Sequence, residues 1–390
     1  MKRILFLLLL ALSQSPLYAV SFDMNDTALE IYEDIFSFKL VSAKQKAKEA
    51  IEDDKDNLVY EFLHLSANYF DLVNLPNDSK IESFSKEEDQ VLENLKKLSD
   101  TEPFKKYAIS DIYFHTAMFK MTQGDYLSGA NLIRKANKLL EENKKAHPDF
   151  LINNKNYSLI KILVGSIPKK YRFIESLAGI DGDAPKGVRM LASVGFNEIN
   201  AKFKYIQKES KLLYAIALFT IENNKELSFR IVKQECADYK TNLFSNYIYA
   251  IHATMQGEND LVLSLLNQKP KYNELEIHYM DYMKGLAQLR KLDFTAIKTF
   301  KRYLETAESS YNKYNAYKHL YWAYKLKGEE SNAKLYKDKA KKEREDKFEG
   351  DFDFDANYYN KRLLEIRLLY DGGYYAQAKL KIKYLRNRPI

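Results

Sequence analysis

Apolar positions recur at helical spacing along most of this chain, and almost nowhere do they alternate as a strand would. Tyr317, Leu320, Tyr321 and Tyr324 stand at i, i+3, i+4 and i+7, one face of a helix that Gly328 ends. Ala333 and Ala340 follow on a second helix, small enough to let two backbones approach closely. Large residues, a glycine turn and then alanines predict an antiparallel pair packed large against small. Residues 25–36 and 38–51 predict another pair, with Ala43, Ala47 and Ala50 on one face of its second helix. Residues 58–73 predict an amphipathic helix through Phe62, Leu65, Tyr69 and Leu72. A loop is expected over 75–85, ended by Ser85-Lys-Glu-Glu88, a capping box that opens a helix through Leu98. Thr101 is then expected to cap the next helix, with Pro103 tolerated in its first turn.

The glycine turns recur with a period. Gly257 precedes Gly328, and between them Leu292-Asp293-Phe294, after Gly285, fills the same role, at steps of 35 and 36 residues. A step of 45 residues leads to Gly373, where Gly-Tyr-Tyr-Ala-Gln-Ala places Ala378 like Ala333. Gln123-Gly124-Asp125-Tyr126 followed by Ala136 is a further copy. This pattern of aromatic, Leu, Gly or Ala, Tyr, Gly, Ala and Ala resembles the tetratricopeptide repeat (TPR), whose period is about 34 residues. The resemblance implies an all-α fold, an α-solenoid of TPR-like antiparallel helix pairs. Helical hairpins of irregular spacing are expected over 20–155, an irregular central junction over 156–196, and the regular array over 197–390.

The junction is read from glycine. Gly165, Gly179, Gly182, Gly187 and Gly195 gather in one stretch that Pro168 and Pro185 punctuate. Three short helices fit: one ending near Gly165, one over 168–177 and one over 185–194, with a change of superhelical direction expected there. A phosphate loop does not fit, because Gly179-Ile-Asp-Gly-Asp-Ala-Pro-Lys lacks the Lys-Ser/Thr and the preceding strand. Ser166-Ile-Pro, Gly182-Asp183, Gly187 and Met190-Leu191 also resemble a signature of the inclusion-body-clearance family of eukaryotic TPR proteins, which are interaction scaffolds. The chain departs from that family at Lys169, where a second proline is expected, and in its compartment.

The compartment is read from the first residues. Met-Lys-Arg, an apolar run from Ile4 to Leu12 and a small residue at Ala19 make a secretory signal over 1–19, cleaved near Val20, which points to the periplasm or cell envelope. The run is too short for a membrane span, and no other stretch approaches one, so an integral membrane protein is not expected. The only cysteine, Cys236, lies in a helical context and reads as a buried small hydrophobe. The formal charge of +7 is modest, and basic and acidic residues alternate, as from Lys337 to Lys347, where several are spaced to pair along a helix. That reads as a solvated face and argues against nucleic acid. The chain carries 30 Tyr and 22 Phe against 13 Gly and 8 Pro, and tyrosine suits helix pairs that are apolar at the base and wet at the rim.

Catalytic signatures are absent from the sequence. His64, His115, His147, His252, His278 and His319 are scattered without metal-ligand spacing, and no Gly-x-Ser-x-Gly or His-Glu-x-x-His occurs. Asp351, Asp353 and Asp355 have the alternate spacing of a calcium loop, but Ala356 and Arg362 stand where glycine and glutamate are needed. No enzyme, cofactor or metal is expected. The function that remains is a scaffold for a protein or peptide partner, with a helical glycan-binding or glycan-acting envelope protein as the alternative.

The TPR resemblance implies where a partner would lie, because the first helix of each hairpin lines the concave groove of that family. It assigns Phe244, Tyr247 and Ile251 to the groove from one copy, and Tyr279, Tyr282, Leu286 and Leu289, with Arg290 beside them, from the next. It assigns Asn315, Lys318, Trp322 and Lys325 from the third, and Leu363, Arg367 and Tyr370 from the last. Trp322 stands where the clamp for chaperone tails needs asparagine, which argues against that partner. An aromatic floor with basic residues would suit an extended peptide with apolar side chains and some negative charge. The competing reading is that these aromatics fill the space between neighbouring hairpins. Self-association through the last hairpin is also expected, with Leu380, Ile382 and Leu385 partly exposed.

Overall fold

A computed structural model of the chain describes residues 20–74, 76–167, 179–199, 203–268, 270, 275–306, 310–345 and 360–386. The signal segment, the helix expected over 168–177 and the acidic loop at 351–355 lie outside them. Eighteen helices form among the described residues, and the only β-type pairing is one isolated bridge between Ser21 and Asn57. The chain divides into two compact units. The first comprises the described part of Met1–Ile35, Leu40–Leu72 and Asn77–Ile206; the second comprises Phe36–Lys39, Val73–Pro76 and the described part of Gln207–Ile390.

The first unit opens with α1 (Asp26–Ile35) and α2 (Leu40–Asp53), which pack as a pair over the buried alanines 43, 47 and 50. α3 (Val59–Asn74) buries Tyr60, Leu63 and Ala67 as well as Leu65 and Leu72, so its apolar contacts are broader than the single expected stripe. α4 (Asp78–Leu95) starts well before the expected capping box. Asn77 accepts a hydrogen bond from the Lys80 amide and Asp78 occupies the first turn, so the cap is made eight residues upstream of Ser85. At α5 (Pro103–Thr122) the cap is Glu102, not Thr101, accepting from the Phe104 amide, with Pro103 in the first turn. α6 (Tyr126–Ala146) packs along α5, α7 (Asn153–Gly165) packs on both, and α8 (Ala184–Phe196) packs closely on α7. That closeness needs glycine: a Cβ at Gly187 would fall 2.7 Å from the Ser158 carbonyl oxygen.

The second unit is the stack. α9 (Tyr205–Thr220) and α10 (Lys225–Glu235) form its first pair, tied by the Ser228 hydroxyl donating to the Ala215 carbonyl. The next pairs are α11 (Leu243–Gln256) with α12 (Asn259–Asn267), α13 (Tyr279–Arg290) with α14 (Ala296–Thr306), and α15 (Ser310–Lys327) with α16 (Glu330–Glu345). α17 (Lys361–Asp371) and α18 (Tyr375–Arg386) make the last. First helices pack on first helices, α11 on α13 and α13 on α15, and each second helix up to α14 packs on the first helix of the next pair.

One backbone device ends the first helices. Asn223, Gly257, Leu292 and Gly328 all take left-handed φ, at steps of 34, 35 and 36 residues, and Gly373 does so at the end of α17. After Gly257, Leu292, Gly328 and Gly373 the next amide donates back five residues: Glu258 to Ala253, Asp293 to Gln288, Glu329 to Tyr324 and Tyr374 to Leu369. This is the Schellman closure of a helix C-terminus. Leu292 adopts it at φ 60° without glycine, at a cost of about 1–2 kcal/mol for a side chain in that region.

Candidate functional site

The first helices of the second unit carry the residues assigned to the groove. Tyr282 of α13 and Trp322 of α15 are 8% and 9% exposed and share one apolar core with Leu289, Phe300, Leu320 and Tyr324. These two side chains therefore pack inside that core. Tyr279 stacks on Tyr282 with ring centroids 5.3 Å apart, and both rings reach toward the basic residues around them.

Those basic residues converge. The Lys318 ammonium lies over the rings of Tyr314 and Trp322, at 5.3 and 5.4 Å, and donates to the Asn315 side chain at 3.0 Å. Burial pushes Lys318 down to about 8. His319, the next residue, is buried between Phe300, which it stacks on at 5.6 Å, and Trp322, which it meets edge-on at 5.0 Å. Its Nδ1 lies 3.4 Å from the Tyr282 hydroxyl. Burial holds His319 well below the ordinary histidine value, and the positive charges of Lys318 and Arg290 push it the same way. Arg290 donates to the Thr254 carbonyl oxygen at 3.2 Å, and burial, opposed by Asp371, lowers it as well. Tyr247 of α11 is half-buried, with the Phe38 ring 6.2 Å away, and burial, with Tyr279 nearby, pushes its hydroxyl up to about 12.

Arg290 and Lys318 thus both act on His319, beside Tyr282 and Trp322, and Tyr247 of α11 is linked to them through Tyr279, which also lies near Arg290. Lys325 does not join them in these contacts: its ammonium donates to the Tyr321 hydroxyl at 3.3 Å, in the last turn of α15. Arg367 acts on Arg290 by its charge, yet both it and Tyr370 are exposed. With Leu363 they form one stripe of α17, and that stripe is exposed, while Leu364 and Leu368 on the other side are buried in the core of α13 and α15. Arg367 donates to Asp371 at 2.8 Å, and the Tyr370 and Tyr375 rings meet edge-on at 5.2 Å.

The reason is the placement of α17. It packs on α13 and α15 and makes at most marginal contact with α16, on which the next repeat of the array would stack. Its C-terminal turn reaches the turn that ends α11, where the Tyr374 hydroxyl donates to Asp260 at 2.8 Å and accepts from Asn259 at 3.1 Å. The sequence placed α17 as one more wall of the groove, whereas here it lies across the first-helix face of its neighbours.

The first unit holds an internal acidic network. Asp111 is buried, accepts from Asn156 at 2.6 Å and lies within 3.3 Å of His115 and 3.6 Å of Lys155. Burial alone would raise its carboxyl, but His115, Lys155 and the Asn156 hydrogen bond outweigh burial and hold it below the usual range. Glu88 accepts from the Thr116 hydroxyl at 2.7 Å and is raised by burial. No cluster of His, Cys, Asp or Glu suited to a metal occurs among the described residues. Cys236 is fully buried, and burial pushes its thiol up to about 12, the opposite of what a nucleophile needs.

Comparison of the sequence with protein-family models and with curated proteins returns no match. Among the described residues, no helix is long and apolar enough to cross a membrane.

Proposed function

We propose that this chain is an exported, TPR-like scaffold of the periplasm or cell envelope that holds a protein or peptide partner on the first-helix face of its second unit. The observation that carries the reading is the meeting of Tyr282 from α13 with Lys318, His319 and Trp322 from α15, with Arg290 acting on His319 and Tyr247 of α11 beside Tyr279. Side chains that meet from separate repeats give a surface that no single hairpin could present. Cations held over aromatic rings at low solvation favour a partner with carboxylate groups beside apolar side chains. The core positions of Tyr282 and Trp322 make them the rigid floor beneath that surface, with Lys318 above Trp322. The export signal over 1–19 supports the compartment.

Photo-crosslinking in cells tests this. A benzophenone side chain placed at Tyr247 or Lys318 is expected to give one discrete envelope adduct. The same group at Lys298 or Leu335, exposed on second helices, is expected to give none. Adducts of equal yield from both faces, or from neither, would overturn the assignment.

A further inference from the structure

We infer that the first-helix face of α13 and α15 is a receptor for an amphipathic helix, that α17 is its resident occupant, and that a partner gains access by displacing the last hairpin. This rests on the scaffold reading above and names the class of partner.

Three observations carry it. The regular array stops at α16, and α17 lies on α13 and α15 instead of continuing the stack. Leu364 and Leu368, one turn apart, are the anchors buried with Leu289, Leu320 and Trp322, while Leu363, Arg367 and Tyr370 face solvent. That is how an amphipathic helix seats in a groove, with anchors at i and i+4. The hairpin is also held through one helix: among the described residues, α18 packs on α17 alone beyond marginal contacts. A repeat inside a stack is held by both of its helices, so releasing this hairpin breaks fewer contacts than releasing a repeat inside the stack. Such segments open at lower free energy than the rest of a fold.

The latch at the far end is small and polar. It consists of the Tyr374 hydroxyl between Asn259 and Asp260, the close approach of the Gly257 and Gly373 backbones, and Gly372 packed on Arg290. Arg290, one of the basic residues assigned to the partner, therefore lies under the α17 turn. An incoming helix with leucines at i and i+4 and an acidic residue near its C-terminal end, where Asp371 now acts on Arg290, would reproduce the contacts of α17.

The test uses the full chain and a fluorescein-labelled synthetic peptide of residues 360–386. In Arg290→Cys/Gly372→Cys, the Cβ of Arg290 and one built on Gly372 start 3.0 Å apart, inside the usual disulfide spacing of about 3.5–4.5 Å, so the bridge closes with a small outward shift of the α17 turn. The native thiol, Cys236, is buried and does not compete. The reduced variant lacks the Arg290 contact but keeps the apolar face for Leu364 and Leu368, so it is expected to bind the peptide measurably, and the oxidised variant at least tenfold more weakly, with reduction restoring binding. Tyr374→Phe, which removes both latch hydrogen bonds, is expected to bind several-fold more tightly than the unaltered chain. In hydrogen exchange the α17 amides are expected to exchange at least tenfold faster than those of α13. Peptide binding unchanged by oxidation would overturn the inference, as would equal protection of α17 and α13 in both the unaltered chain and Tyr374→Phe. The scaffold reading fails separately. An envelope crosslink of equal yield from oxidised and reduced protein removes the displacement step alone, whereas no crosslink from either removes the scaffold.

Discussion

The carbonyl oxygen of Gly257 faces the Cα of Gly373 so closely that no side chain could be accommodated at 373. Both residues are left-handed, with φ of 78° and 81°, so the turns that end α11 and α17 meet backbone to backbone. Gly373→Ala is therefore expected to destabilise the fold twice over, by about 1–2 kcal/mol for the left-handed backbone and by more for the displaced contact. Gly328→Ala is the comparison. Its φ is 80° and nothing lies within 4 Å of the added methyl, so it should lose the backbone part alone. Urea titration of the two variants checks this, and equal losses would show that the Gly257–Gly373 approach contributes nothing.

Trp322 behaves as core. At 9% exposure, under Lys318 and against His319, its replacement by alanine is expected to cost about 3–5 kcal/mol of stability. Trp322→Phe should cost clearly less. Circular dichroism and denaturant midpoints decide it, and a Trp322→Ala protein that keeps its midpoint would return the residue to the partner surface.

Helices and turns were largely legible because apolar spacing and glycine are local signals. Gly257, Gly328 and Gly373 marked the ends of α11, α15 and α17, and Ala43, Ala47 and Ala50 marked the packed face of α2. The pair α9 and α10 was not singled out, because its left-handed residue is Asn223, whose short polar side chain tolerates that backbone. Leu292 was placed correctly only through its neighbours, since nothing in leucine announces a positive φ. The helix start at Asn77 was missed because Ser85-Lys-Glu-Glu88 offers an equally good local cap, and packing along the whole of α4 decides between them. The packing of first helices on first helices was legible from the repeat period that carries Tyr247, Arg290 and Lys318. It was not legible at α17, because whether a hairpin extends a stack or folds back across it depends on contacts far apart in sequence.

Acid should loosen the second unit before carboxylates titrate. His319 and His252 are buried, and burial lowers both below the ordinary value. The unfolded chain then binds more protons than the folded one once pH falls below about 6.5. Their contribution is full above that value and declines as pH drops toward the folded values, by up to about 1.4 kcal/mol per pH unit for each histidine. Glu88 in the first unit, raised by burial, acts in the opposite sense and gains stability as pH falls. Denaturant midpoints between pH 7.5 and 5 should therefore fall, with a flatter dependence in His319→Gln. An unchanged slope in that variant would show that His319 takes up protons alike in the folded and unfolded chain.

The last hairpin should also bring copies of the chain together. Leu380 and Tyr384, one turn apart on α18, are 55% and 73% exposed, and Ile382, Tyr375, Leu363 and Tyr370 of the same hairpin are exposed as well. Leu385 is half-buried. Clusters of large apolar side chains open to water mark contact surfaces, and covering them gains about 25 cal/mol for each Å² of apolar area. Sedimentation over a wide concentration range is expected to show reversible association. Leu380→Glu with Ile382→Glu should weaken it at least tenfold without loss of helicity, because neither side chain contributes to the described core. A protein that stays monomeric throughout, or a variant that associates as the unaltered chain does, would place these residues outside any contact between copies.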